Sequence, residues 1–184
     1  MLDVGFGCGT VTHKIVSESG KPWSHFTGMP YVIGINKDPS SVEFAKRWMP
    51  FYKDVYLQDV TDIPYPRNIT DNLDIVICTE VVEHTTDKRA TLAMIKYLSD
   101  LAPLVIFTCP NGDDTNKKFD QEWHNHNSIW YQDDFRKLGF KTKLETKYTR
   151  EVEFVLRIAS KVFTGKPLYR TIVAWHNKND SGCA

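Results

Sequence analysis

The chain has 184 residues, of which 41% are apolar, 12% aromatic and 25% charged, a balance that supports a packed core and excludes a disordered or fibrous protein. Lysine plus arginine and aspartate plus glutamate both number 23, so the formal charge is zero. The longest apolar run, around residues 101–107, is too short to cross a bilayer, which excludes a membrane-spanning helix.

In chain order, short β-branched segments are predicted at residues 2–4, 31–35, 55–57, 73–78 and 104–108. Helical stretches separate them at 10–19, at 40–49 behind an Asp38-Pro39-Ser40 start signal, and at 86–101; another follows at 131–138, ending at Gly139. Strand and helix in alternation imply a parallel sheet with crossover helices, and the unbroken apolar run in DIVIC implies strands buried on both faces. After Gly139 the pattern changes. Residues 140–146 alternate apolar and polar, 150–163 carry one apolar helical face through Val152, Val155, Leu156, Ala159, Val162 and Phe163, and 171–176 form a last, antiparallel strand. No repeat or linker divides the chain, so a single domain over 1–184 is expected. Cys8, Cys78, Cys109 and Cys183 form no C-x-x-C pair, and the sequence opens on LDVGFGCGT rather than on a charged and then apolar leader. Both features point to a reducing, cytoplasmic compartment.

The most informative stretch is Leu2-Asp3-Val4-Gly5-Phe6-Gly7-Cys8-Gly9-Thr10, a strand that runs into three alternating glycines and then a helix. Glycines there let the main chain turn sharply and approach a ligand with no side chain between. The G-x-G-x-G spacing differs from the G-x-G-x-x-G that sets a pyrophosphate on a helix N-terminus, which disfavours a dinucleotide. With the preceding acid, this block resembles the first motif of class I S-adenosylmethionine-dependent methyltransferases, and further blocks follow in the same order. Ile33-Gly34-Ile35-Asn36 looks like the end of the second strand, with Asn36 where the family commonly places an acid on the ribose hydroxyls. An amide oxygen still accepts a hydrogen bond there, more weakly than a carboxylate, and Asp38 stands nearby. Gln58-Asp59-Val60-Thr61-Asp62-Ile63-Pro64 resembles the loop that takes the adenine through a carboxylate and a backbone amide. Leu73 to His84 resembles the fourth strand and the E-x-x-E-H of ubiquinone-biosynthesis-like O-methyltransferases.

The resemblance implies a Rossmann-like methyltransferase fold, a mainly parallel seven-stranded sheet with an antiparallel last strand. Residues 1–109 would be the cofactor half and 110–184 the acceptor side. The cofactor would be S-adenosylmethionine, held by Asp3, Gly5, Phe6, Gly7, Gly9, Asn36, Lys37, Asp59, Val60, Thr79 and Glu80. His84, His126 and Glu80 would be the catalytic residues, with His124 a further candidate base; the favoured acceptor is an oxygen or nitrogen of a small molecule. The fifth-strand end Thr108-Cys109-Pro110-Asn111 and the loop through His124-Asn125-His126-Asn127-Ser128-Ile129-Trp130 would border that acceptor.

Two alternatives stand beside this expectation. Glu80, Glu83 and His84, sharing one face of a helix, together with His124 or His126, look like the two-carboxylate, two-histidine divalent-metal site of small-RNA 2′-O-methyltransferases. The other is a catalytically silent methyltransferase-like binding subunit. Residues 1–135 carry a net charge of −7 and 136–170 a net charge of +7, a basic block that is either a solvated face or a place for an anionic or nucleic-acid ligand. Because the glycine motif begins at residue 3, a short first strand and a homodimer or partner-subunit contact on its exposed side are also expected.

Overall fold

Apolar segments too continuous to face water pair with one another into a sheet. In the computed structural model, which describes residues 1–18, 31–112, 125–145 and 171–178, these are β1 (Leu2–Val4), β2 (Val32–Asn36), β3 (Tyr52–Leu57), β4 (Ile75–Thr79) and β5 (Leu104–Pro110). They are completed by β6 (Lys141–Glu145) and β7 (Thr171–Asn177), and the helices are α1 (Thr10–Glu18), α2 (Pro39–Trp48), α3 (Arg67–Thr70), α4 (Lys88–Leu101) and α5 (Gln132–Arg136). The seven strands form one sheet in the order β3-β2-β1-β4-β5-β7-β6. The first five pair in parallel, and β7 runs antiparallel to both β5 and β6.

Every residue of β1 and β2 is buried, which explains why LDV and VIGIN show no period-two alternation. The larger core packs β1, β4 and β5 against Met94, Ile95 and Leu98 of α4, and reaches Trp130, Phe135 and Phe140. A smaller one gathers Phe6, Val42, Ala45, Phe51, Tyr52 and Val55 around α2 and β3. Aspartates fix where two helices start. The Asp38 carboxylate accepts from the Ser40 and Ser41 N–H groups ahead of α2, with Pro39 at its first position, and Asp87 accepts from Arg89 and Ala90 ahead of α4.

The expected fold class is the one observed. Differences lie at the edges: β3 begins at Tyr52 rather than at 55, β5 extends to Pro110, and α3 was not anticipated. The expected helix at 150–163 lies outside the described residues, as do His124 and most of the basic block.

The chain runs from β1 outward to β3 and then returns to lay β4 against the other side of β1. Beyond the carboxyl ends of β1 and β4 the loops therefore diverge and leave a crevice. At its floor Gly5 has φ +70, and an added Cβ would lie 2.4 Å from Val81 Cγ2; Gly7 has φ +53, and its Cβ would meet nothing within 4 Å. Gly7→Ala is expected to cost about 1 kcal/mol of backbone strain, and Gly5→Ala more than about 2 kcal/mol, because overpacking adds to the strain. Urea unfolding of the two variants measures the difference; equal losses would contradict the close contact with Val81.

Candidate functional site

The loop after β1 is fixed from above and below. Gly5 N–H donates to Ile35 O at 2.8 Å and Gly9 N–H to Phe6 O at 2.7 Å, with Gly5, Gly7 and Gly9 all at positive φ. Beneath them Asp3 is only 2% exposed, and its Oδ2 accepts from Thr12 Oγ1 of α1 and from the Tyr52 hydroxyl of β3, each at 2.5 Å. Burial pushes the Asp3 carboxyl up to about 6, and the Thr12 and Tyr52 hydroxyls oppose that rise. The Phe6 ring lies 5.0 Å from the Tyr52 ring, so β3 supports the loop as well as the acid.

Four strand ends then enclose a cavity of about 400 Å³, within the usual range for a small-molecule site. After β1 it is lined by Gly5, Phe6, Gly7 and Cys8, and after β2 by Asn36, Lys37 and Asp38. Asn36 Oδ1 accepts from the Asp38 N–H at 3.0 Å, so the amide oxygen expected to serve a ribose is engaged within the loop. Asp38 is engaged too. Burial works against its charge, but the Ser41 and Ser40 hydroxyls and N–H groups outweigh this and hold the carboxyl below its ordinary value. After β3 the wall is Asp59, Val60 and Thr61; Asp59 Oδ1 accepts from Thr61 N and Oγ1, and Asp59 Oδ2 stands 4.0 Å from Lys37 Nζ.

The wall after β4 departs from expectation. Residues 80, 83 and 84 do not share a helix face, because Glu80 has φ +54 and only Val82–His84 form a single 3-10 turn. Glu80 consequently faces the cavity, whereas Glu83, at 2% exposure, points inward. A clasp of main-chain and side-chain donors from residues 127–130 holds that turn. Asn127 and Ser128 N–H groups donate to Glu83 O at 2.7 and 3.0 Å, Asn127 Nδ2 donates to His84 O, and Ser128 Oγ and Trp130 Nε1 donate to Val82 O. The clasp sets His126 behind His84, with ring centroids 4.9 Å apart. Ligand atoms of Glu83, His84 and His126 all lie within 4.8 Å of one another. His84 Nδ1 stands 3.1 Å from Asn125 O, a pure acceptor, so this nitrogen carries the proton in that bond and Nε2 turns toward Glu83 at 4.0 Å.

The structure thus gathers Gly5, Phe6, Gly7, Asn36, Lys37, Asp59, Val60, Thr79, Glu80 and His84 around one cavity. Asp3 and Gly9 belong to the support beneath it, and His126 does not line the cavity but packs against His84. Val81, Thr85 and Thr86 also line it and were not anticipated.

A glycine-floored crevice at the reversal point of a β3-β2-β1-β4-β5-β7-β6 sheet is the architecture of a methyltransferase domain. The family model described as a methyltransferase domain matches residues 2–98, more than half of the chain, and the chain belongs to that family. No curated protein sequence matches it. Similar solved structures include magnesium protoporphyrin IX methyltransferase from Synechocystis PCC 6803 with bound S-adenosylmethionine, at 16% identity, 96% of this chain, 69% of that one and TM-score 0.53. The small RNA methyltransferase HEN1 shares 17% identity over 100% of this chain and 24% of that one, with TM-score 0.59. A complex between the Haloferax volcanii Trm112 methyltransferase activator and a methyltransferase shares 15% identity over 96% and 81%, with TM-score 0.57. At these identities the likeness establishes the fold. Among the described residues no helix is long and apolar enough to cross a membrane.

The buried carboxylate makes a pH prediction. Asp3 holds its proton up to about 6 in the folded chain, against an ordinary value of 3.8, so its protonation favours folding. That contribution is complete below pH 3.8 and is lost as the pH rises through about 6. Asp3→Asn is expected to flatten the stability–pH curve across this window in urea titrations; an unchanged slope would assign the titration to another group.

Proposed function

We propose that the chain transfers the methyl group of S-adenosylmethionine to an oxygen or nitrogen of a small-molecule acceptor. The observation that carries this is the cavity floored by Gly5 and Gly7, where, its chain neighbours aside, no atom of the described residues lies within 4 Å of the place a Cβ at residue 7 would take. When bound, the cofactor supplies a methyl group already activated on a positively charged sulfur. Its methionine end would rest on the bare main chain at Gly5, Phe6 and Gly7, while Gly9 and Asp3 hold that loop in shape. The ribose would lie toward Asn36 and Lys37, with Asn36 offering its amide NH₂ because its oxygen is engaged. Asp59 and the Val60 backbone would take the adenine, and Thr79 and Glu80 the reacting end.

Displacement at such a methyl needs the acceptor held close, in line and correctly protonated, so positioning can supply most of the rate. For a hydroxyl or ammonium acceptor a base is also needed. Among the described residues His84 is the histidine that lines the cavity, and because its Nδ1 donates to Asn125 O, its Nε2 would have to turn from Glu83 toward the acceptor to serve. Glu83 and His126 behind it would steady its ring and charge.

A second reading is favoured by one specific observation. Glu83, His84 and His126 bring a carboxylate and two imidazoles within 4.8 Å, a donor set suited to a divalent cation. Such an ion would polarise a ribose diol at an RNA 3′ end, in keeping with the likeness to the small-RNA enzymes. Glu80 stands outside this group, so among the described residues three of the four expected ligands come together.

Calorimetry with S-adenosylmethionine and S-adenosylhomocysteine tests the first reading. Both are expected to bind, and Asp59→Ala to weaken both about tenfold. Binding of neither would leave a catalytically silent subunit. Titration with Mn²⁺ or Zn²⁺ tests the second: it predicts one bound ion, lost in Glu83→Gln, and methylation of RNA 3′ ends that a chelator abolishes. Wild-type chain that takes up no ion would exclude it.

A further inference from the structure

Glu80 and Asn72 are the non-glycine residues with positive φ among those described. Asn72 stands in the turn before β4, and asparagine tolerates that conformation. A glutamate adopts it only where its surroundings impose it, and such positions concentrate at ligand sites. What imposes it here is one residue of the neighbouring strand. The Glu80 N–H donates to Thr108 O at 2.8 Å, and Thr108 Oγ1–H donates to Glu80 Oε1 at 2.9 Å. The register that sets Thr79 of β4 opposite Thr108 of β5 brings the two together. Thr108 thus fixes both the backbone and the carboxylate of Glu80.

The carboxylate is exposed on the cavity wall beside Thr79, Val81 and His84, and no cationic side chain pairs with it among the described residues. The other acids of the wall are otherwise engaged. Asp59 faces Lys37, and Asp38 and Asp87 cap their helices. A carboxylate held against open cavity favours a ligand that carries positive charge.

We propose that Thr108 is a positioning residue that holds the Glu80 carboxylate as the receptor for the positive charge of the methyl donor. The pair then selects the charged donor over an uncharged adenosine thioether. This rests on the S-adenosylmethionine reading above and adds to it a specificity determinant.

The test is calorimetry with S-adenosylmethionine and with 5′-methylthioadenosine, which keeps the adenosine and lacks both the sulfonium and the amino acid. The proteins are wild type, Thr108→Val, Thr108→Ser, Glu80→Gln and the Glu80→Gln/Thr108→Val double variant. Valine keeps the branched shape of threonine, so the β5 ladder is preserved. Thr108→Val is expected to weaken S-adenosylmethionine about tenfold, the scale of a lost hydrogen bond to a charged group, and to leave 5′-methylthioadenosine within about twofold. Thr108→Ser is expected to restore selectivity, and in the double variant the valine is expected to add nothing to Glu80→Gln. A parallel loss for both ligands, or an additive double variant, would show a purely structural threonine and overturn the proposal while leaving the donor reading intact. If the wild-type chain binds neither ligand, the donor reading and the proposal fall together.

Discussion

A carboxylate with almost no access to water holds the site's floor in place. Asp3 is the middle residue of β1, Thr12 lies in the first turn of α1 and Tyr52 opens β3, and the two hydroxyls converge on one oxygen of the acid. Burying an ionised group without such donors is costly, so these bonds tie strand, helix and far strand into one arrangement. The three glycines between Asp3 and Thr12 must then bridge a fixed gap in a conformation that L side chains resist. Bare main chain at the crevice floor follows from that constraint.

The rest of the site is set by where the strands stop. Parallel neighbours β2, β1 and β4 release their loops on the same side of the sheet; Asn36 at the end of β2 accepts from the N–H of Asp38 in its own loop, and Glu80 after β4 accepts from Thr108 of the next strand. On the β4 side, the clasp of residues 127–130 onto Val82–His84 makes the histidines a single unit, although 41 residues separate Asn125 from His84 in sequence. Bonds between β1, β2, α1 and β3 shape the cofactor end, and bonds from residues 127–130 shape the reacting end.

This division explains what the sequence discloses. The alternation of strands and helices, the glycine turn and the Asp59–Val60 wall are legible because each rests on local pattern: apolar runs, positive-φ glycines and an aspartate that caps its own loop. The engagement of the Asn36 oxygen by Asp38 was also open to reading, since asparagine two residues before a free N–H commonly forms such a turn. The first half of β3 escaped notice because Lys53 is exposed and Asp54 half-buried on an edge strand. Glu80 and Glu83 were assigned to one face by helical spacing, and a left-handed residue followed by a 3-10 turn breaks that spacing with no sign in residue types. His126 was a candidate beside Glu83 and His84 from residue type alone, and the main-chain bonds of Asn127 and Ser128 to Glu83 are what bring it there.

The central claim is that uncovered main chain at residues 5 and 7 is the surface on which a nucleoside-linked sulfur compound lies. A crystal structure of the chain grown with S-adenosylhomocysteine tests it most directly. The account predicts the homocysteine along Gly5–Gly7 and the adenine against Asp59 and Val60. A crevice closed by the chain's own atoms, or a ligand bound elsewhere, would contradict it.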